Sequence, residues 1–184
     1  MAKKVTIQAS AEENKNAEKD STVCSVLLIM GAWQNSFTEA QNNIIIAEAL
    51  NHCIFTEGLK LTGYLIAQKR AFLVMKHHKP DLTKKMLIFH HALLIEIKKQ
   101  FSFLCSLLPE ITESPRSQPD LKRLFNQYLL KDQSLIQLIT GHRVELPYYD
   151  PQLERLKSQI YSNPFCSVID YSGAKGPVII YRKD

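Results

Sequence analysis

The chain has 184 residues, of which 45% are hydrophobic and 22% are charged, and its formal net charge is +5. This length and composition are ordinary for one globular domain with a core of its own. The excess of basic residues favours an anionic partner, although mild basicity also serves solubility alone.

The apolar runs of the sequence disfavour membrane insertion and secretion. The longest runs, VLLIM and IIIAEAL, are far shorter than the ~20 residues of a membrane helix, and no apolar region follows the basic start MAKKVTIQAS. The four cysteines have no Cys-x-x-Cys spacing, as expected for reduced core residues. We therefore expect a soluble, cytoplasmic protein that does not bind membranes.

The first part of the chain predicts a tail, a strand and a helix. Residues 1–22 are rich in Lys, Glu, Asn and Ser, which predicts a disordered tail. VCSVLLIM, at residues 23–30, predicts a buried strand. Thr38 followed by Gln41 is a capping-box pattern that starts a helix, and Gly58 is placed to end it.

A hairpin and a long helix come next. GYLIAQKRAFLVMKHH, at residues 63–78, predicts a strand, a two-residue turn and a second strand whose alternate side chains share a face. Asp81 is the predicted cap of a helix that carries LTKKMLIFHHALLIEIKKQFSFLCSLL. An irregular linker is then marked by Pro109, Pro115 and Pro119.

More helices and late strands are predicted in the last third. Residues 120–140 are predicted to be helical, and HRVELPYY is predicted to be an edge strand. Asp150-Pro151 predicts the start of a final helix that runs to about Ser162, with one or two short strands after it.

The order β-α-β-β-α predicts an α+β fold, with a ferredoxin-like antiparallel sheet and helices packed on one face. We expect the other face of the sheet to be left for function or for a partner. The predicted domain covers residues 23–170 and includes a helical insertion at about residues 110–140. Residues 171–184 are predicted to form a C-terminal strand or extension.

Four pieces of this sequence, in this order, resemble the REP-associated tyrosine transposases, a branch of the single-tyrosine HUH transposases. The pieces are EGLKLTGYLI, the hairpin, a helix with EIKKQF and a terminal helix that closes in IYSNPF. The resemblance implies a ferredoxin-like, often dimeric domain that binds hairpin DNA and cleaves one strand. In that family a His-x-His pair on a strand binds a divalent metal, and a tyrosine one turn before Asn-Pro attacks the phosphate.

The sequence departs from the family at each catalytic position. The His-x-His register falls on Arg70 and Phe72, whose side chains cannot bind a metal. The register of the nucleophile falls on Gln159, and nearby Tyr161 lies about 200° away around the helix. Replacement of all three predicts a domain without catalytic residues, metal or cofactor, which no longer cleaves DNA.

Three pairs of adjacent side chains are weaker candidates for chemistry: His77-His78, His90-His91 and Tyr148-Tyr149. Neighbouring histidines diverge on a strand or a helix, so they fit surface or boundary positions better than a metal site. The tyrosines could supply a displaced nucleophile, but no base or metal ligand accompanies them.

Basic residues recur along the long helix. Lys84, His91 and Lys98 are seven residues apart, and Lys85 and Lys99 follow the same spacing. Seven residues drift by only ~20° on a straight helix, so one basic stripe is predicted. A stripe of this kind suits a phosphate backbone, and it is equally compatible with a solvated helix face.

We therefore predict a DNA-binding protein that binds single-stranded or hairpin DNA without cleaving it. The predicted contacts are this stripe together with Lys69, Arg70 and Lys76 of the hairpin. Phe72 and Val74 are predicted to form a base-stacking platform or a protein interface. One alternative is a homodimeric interaction domain that binds no nucleic acid. A weaker alternative is an active transposase whose catalytic residues lie elsewhere in the chain.

Overall fold

The computed structural model describes residues 22–77, 82–107 and 124–182. A short 3-10 helix spans Ala32–Ser36. The strands and α-helices of these residues follow in chain order: β1 (Thr22–Met30), α1 (Glu39–Glu57), β2 (Lys60–Ala67), β3 (Arg70–His77), α2 (Leu82–Leu107), β4 (Phe125–Leu129), α3 (Gln133–Ile139), α4 (Pro151–Tyr161) and α5 (Val168–Tyr171).

The four strands form one antiparallel sheet in the order β2-β3-β1-β4. β1 lies inside the sheet, because it pairs with β3 on one side and with β4 on the other. An antiparallel sheet that is covered by helices belongs to the α+β class, so the predicted class is confirmed. The strand order is compatible with the predicted ferredoxin-like arrangement.

The main core lies between the sheet and the helices α1 and α2. Ala71, Leu73 and Met75 of β3 are at most 1% exposed and face this core. Phe89 and Leu93 of α2 are buried in the same cluster. Every second residue of β3 therefore faces α1 and α2, as the alternation in the hairpin predicts.

Helices also lie on the second face of the sheet, which corrects the prediction that helices cover one face alone. Apolar residues of α3 and α4, together with Val168 at the start of α5, bury Leu65 of β2 and Val74 of β3 in a second cluster. The close approach of α3 requires a glycine, because a Cβ at Gly63 would lie 2.7 Å from the carbonyl oxygen of Ile139. The apolar residues on both faces of β2 and β3 are typical of strands that are buried on both sides.

Residues 120–140 are not a single helix, contrary to the sequence prediction. Phe125–Leu129 forms β4, and helix is described only at Gln133–Ile139. β4 forms because the outer edge of β1 offers backbone groups that need partners, from Val26 opposite Leu129 to Met30 opposite Phe125. Residues 108–123, which hold most of the predicted linker and part of the insertion, lie outside the described residues.

The predicted edge strand at residues 142–149 (HRVELPYY) does not form. Of the strand or extension predicted for residues 171–184, the structure shows an irregular extension over residues 172–182, without the one or two short strands. This extension still reaches the edge of β2, where the Tyr181 N–H donates a hydrogen bond to the Leu61 carbonyl at 2.6 Å. Its backbone groups therefore find partners without a regular strand.

Three predicted signals at helix ends are confirmed. Thr38 and Gln41 form a capping box at the start of α1, and Gly58 ends this helix with a left-handed φ of 61°. The Asp150 side chain caps α4, with Pro151 at its first position.

Some predicted features lie wholly or partly outside the described residues. The tail up to residue 21 and the Asp81 cap lie outside them, whereas Thr22, the last residue of the predicted tail, already belongs to β1. Within the described ranges, no helix combines the length and the apolar character that a membrane span requires.

Candidate nucleic-acid interface

One groove brings together the three positions that match catalytic positions of the resembled family. Arg70 and Phe72 of β3 and Gln159 of α4 all line this groove, whose volume is about 470 Å³. Arg70 and Phe72 share one face of β3, whereas Gln159 comes from a distant part of the sequence and is brought to them by the tertiary structure. One ligand in the groove could contact all three side chains.

A tight turn between β2 and β3 fixes the position of Arg70. Gln68 and Lys69 form the turn with φ values of 49° and 65°, a left-handed conformation that is costly for residues other than glycine. The Met30 N–H donates to the Lys69 carbonyl at 3.0 Å, and the Lys69 ammonium donates to Asn35 Oδ1 at 3.1 Å. These bonds hold the turn, and β3 consequently begins at Arg70.

The sequence Asn163-Pro164-Phe165 fixes the end of α4 against β2. Asn163 Nδ2 donates to the Ile66 carbonyl at 3.3 Å, and its Oδ1 accepts from the Phe165 N–H at 2.7 Å. The Phe165 carbonyl accepts from the Ile66 N–H at 2.9 Å. The Asn-Pro motif thus has a structural role, since it anchors the helix turn that carries Gln159.

An apolar row crosses the sheet beside the groove, formed by the register partners Leu65, Phe72, Leu27 and Tyr128 on β2, β3, β1 and β4. Register partners on adjacent strands present their side chains on the same face. Leu65 is buried under the helices, Phe72 and Leu27 are half-buried, and Tyr128 is 52% exposed. The row therefore runs from the wall of the groove to the open edge of the sheet.

The groove itself is not strongly basic. Arg70 is an exposed residue that lines it, and Glu39 in the first turn of α1 lines it too. Lys69 lines a neighbouring depression. The ammonium of Lys76, at the far end of β3, lies 5.7 Å from the ring centre of Tyr181. Of the three predicted cations of the hairpin, the groove includes Arg70 alone.

The basic stripe lies on α2, which packs against the opposite face of the sheet. Lys84 and Lys98 are exposed there, Lys85 is half-buried, and Lys99 forms an ion pair with Glu96 at 3.3 Å. Two apolar side chains, Leu87 and Ile95, are each 55% exposed on the same helix. The predicted set of seven basic residues is therefore divided between two sides of the molecule.

Phe72 and Val74 differ in their accessibility. Val74 is 1% exposed because the second cluster covers it, so it can contact neither a base nor a partner, contrary to the prediction. Phe72 is half-buried and lines the groove. The predicted platform thus retains Phe72 and loses Val74.

The histidine pairs form no metal site in the part of the chain that the structure describes. The His90 ring stacks on Phe125 with 4.1 Å between ring centres, whereas His91 is exposed. The side chains of His77 and His78 lie outside the described residues. Among the described residues, no three His, Cys, Asp or Glu side chains lie close enough to hold a metal ion.

Neither the exposed tyrosines nor the buried thiols supply an obvious nucleophile at the groove. Tyr148, Tyr149 and Tyr161 are 63% to 78% exposed, and none of them lines the groove. Burial raises the pKa of Cys53 to about 12 and that of Cys166 to about 11. A raised pKa keeps a thiol protonated and hence poorly nucleophilic.

Comparison with known protein families, with curated proteins and with solved structures finds no match to this chain. The resemblance to a transposase therefore remains a prediction from the sequence.

Sequence reasoning missed two residues of this surface. Tyr128 was missed because residues 120–140 were predicted to be helical, and its place in a sheet row depends on pairing with β1. Glu39 was missed because it follows a helix cap, where an acidic residue is expected for its interaction with the helix dipole. No local signal reveals that its helix begins beside the hairpin turn.

Proposed function

We propose that the protein binds single-stranded or hairpin DNA without cleaving it, on the open part of the sheet and in the adjoining groove. The observation that carries this proposal is the apolar row that runs from Phe72, two residues from Arg70 on the same face of β3, to exposed Tyr128 on β4. Aromatic side chains on a four-stranded sheet can stack unpaired bases. A guanidinium can hold a phosphate through two parallel hydrogen bonds.

Binding without cleavage follows from the side chains in the groove. Arg70 is a permanent cation and Phe72 has no donor atom, so neither can hold a catalytic metal. Gln159 can form hydrogen bonds with a base or a phosphate, but it is no nucleophile. We infer a transposase-like domain that keeps a DNA-binding surface and has lost its strand-transfer chemistry, and that works in the cytoplasm without a cofactor.

Fluorescence anisotropy with labelled single-stranded and hairpin oligonucleotides tests this proposal. Replacing Tyr128 with alanine should weaken binding about tenfold, because a stacked base contributes about 1–3 kcal/mol. Tyr128→Phe should bind like the wild type, since the ring is retained. Tyr149→Ala is the matched control, because Tyr149 is 78% exposed and does not line the groove. Equal affinity of Tyr128→Ala and Tyr149→Ala would contradict the proposal.

A homodimeric interaction domain is the second candidate, and one observation favours it. Within the part of the chain that the structure describes, β4 is an edge strand of the sheet, and Leu129 on this strand is 66% exposed. Edge strands of this kind can pair with a second copy of the same chain. Sedimentation velocity decides the matter: a dimer that Leu129→Lys dissociates would support this candidate, and a monomer at all concentrations would dismiss it.

A further inference from the structure

A second depression, of about 430 Å³, lies next to the groove, between the 3-10 helix, the start of α1 and the hairpin turn. Glu39 and Gln68 line both the groove and this depression, so the groove and the depression are adjacent on the surface. The volume is within the range of roughly 300–1,000 Å³ that is typical of small-molecule pockets. Met30, Phe37 and Ile46 supply an apolar part of its lining.

Two amide side chains of this pocket have unpaired acceptor atoms. Asn42 Nδ2 donates to the Gln34 carbonyl at 2.9 Å, and Gln34 Nε2 donates to the Met30 carbonyl at 3.3 Å. These bonds fix which end of each amide is the NH₂ group. The remaining oxygens, Asn42 Oδ1 and Gln34 Oε1, are buried without a hydrogen-bond partner among the described residues.

Buried acceptors without a partner destabilise a folded protein, and such groups call for an explanation. Asn42 is only 7% exposed, so water at the surface does not satisfy it. Gln34 is less buried and its amide hydrogen bond is long. Both oxygens have almost no accessible surface, so a ligand in the pocket reaches them only when the Gln34 side chain rotates and breaks this long bond.

We propose that this pocket binds one nucleobase that presents an exocyclic amino group, with the rest of the strand in the groove. The amino groups of cytosine, adenine and guanine would donate to the free oxygens of Asn42 and Gln34. Thymine has a carbonyl in the place of the cytosine amino group. Its carbonyl oxygen would face the amide oxygens of Asn42 and Gln34, and two acceptors cannot form a hydrogen bond. The inference rests on the proposed DNA binding and adds a base preference to it.

Competition between two pyrimidine homopolymers tests the inference. The affinities of a deoxycytidine decamer and a thymidine decamer are measured by anisotropy at mildly alkaline pH, where cytosine is uncharged. The wild type should bind the cytidine decamer about tenfold more tightly, as expected for a well-formed contact to a base edge. Gln34→Met and Asn42→Leu, which keep the side-chain volume and remove the amide, should reduce this ratio to about one.

The same two variants have a second readout in thermal unfolding, because each removes an unpaired buried acceptor together with an NH₂ group that donates one hydrogen bond. The bond that Gln34→Met removes is long, so this variant should still unfold in one cooperative transition well above the temperature of the binding assay, and its loss of base preference then cannot be ascribed to unfolding. Gln127→Met is the matched control, since Gln127 is an exposed amide on β4 that lines neither the groove nor the pocket. Its cytidine preference should equal that of the wild type.

The possible outcomes separate this inference from the proposed function. Equal binding of the two decamers by the wild type would overturn the inference and leave DNA binding in place, as expected if a trapped water satisfies the two oxygens. A cytidine preference that persists in both pocket variants would also overturn it. Binding of neither decamer and of no hairpin oligonucleotide in the same assay would overturn the proposed function itself.

Discussion

Arg70 and Glu39 line the same groove and carry opposite charges. Arg70 can attract a phosphate, whereas the carboxylate of Glu39 repels it. The groove should therefore bind a phosphate more weakly than it would with Arg70 alone. Glu39 also lies in the first turn of α1, where a negative charge stabilises the helix dipole. Its presence therefore has a structural reason that is independent of any ligand.

Neutralising Glu39 should strengthen DNA binding. In Glu39→Gln we expect a few-fold higher affinity at low salt, because removal of one like charge near a phosphate is worth up to about 1 kcal/mol. The variant should lose about 0.3–1 kcal/mol of folding stability through the helix dipole. Glu48→Gln, an exposed change further along α1, is the control for anisotropy. An unchanged affinity of Glu39→Gln would show that no phosphate lies in the groove.

His90 connects stability to pH. Burial lowers its pKa and the neighbouring His91 adds to the decrease, against a hydrogen bond with the Met86 backbone that raises the pKa. A lowered pKa in the folded state means that the unfolded chain binds the proton more readily. Stability is then fully present above the unfolded pKa of about 6.5, and it falls as the pH decreases towards the folded pKa.

Thermal unfolding at a series of pH values checks this linkage. The melting temperature of the wild type should decrease between neutral and mildly acidic pH. His90→Gln should reduce the pH dependence in that interval, and His91→Gln, at the exposed neighbouring position, should reduce it less. Identical pH profiles for the wild type and His90→Gln would contradict the assignment.

At the scale of elements, the hairpin turn is strained. Gln68 and Lys69 both have a left-handed φ without being glycine. Gln68 lines both the groove and the second pocket, and Lys69 lines the second pocket. Strain of this kind persists where the surrounding structure imposes it, and it is often found at binding sites. The hydrogen bond from the Met30 N–H to the Lys69 carbonyl is part of what imposes it here.

Relief of this strain should make Lys69→Gly more stable than Lys69→Ala. We expect a difference of up to about 1 kcal/mol in the free energy of unfolding, because the left-handed conformation costs a residue with a Cβ about 1–2 kcal/mol and the entropy cost of glycine offsets part of this gain. Lys69→Ala is the matched control, since it removes the same side chain and keeps the Cβ. Urea denaturation compares the two, and equal stabilities would show that the turn is not strained at this position.

The elements also show how far the sequence determines the fold. The hairpin, the capping box of α1 and the start of α4 were predictable, because their signals lie in short stretches such as Asp150-Pro151. β4 was not predictable, since FNQYL has apolar residues at spacings that fit a helix and becomes a strand by pairing with β1. Pairing between distant segments leaves no local signal.

At the scale of the whole molecule, the sheet separates two surfaces. Arg70, Phe72 and Tyr128 belong to one side, together with the groove, whereas Lys84 and Lys98 lie on α2 on the other side. The basic stripe could be recognised in the sequence, but its distance from the hairpin could not, because charge patterns do not specify which face of the sheet a helix covers. A compact DNA ligand in the groove should therefore not contact the stripe.

The most direct test of the account compares charge removal on the two surfaces. Anisotropy with a short single-stranded oligonucleotide is measured for the wild type, Arg70→Gln and Lys98→Gln over a range of salt concentrations. We expect Arg70→Gln to reduce the salt dependence by about one released counterion and to weaken binding about tenfold. We expect Lys98→Gln to bind like the wild type. A loss of affinity in Lys98→Gln that equals or exceeds the loss in Arg70→Gln would contradict the account and assign DNA binding to α2.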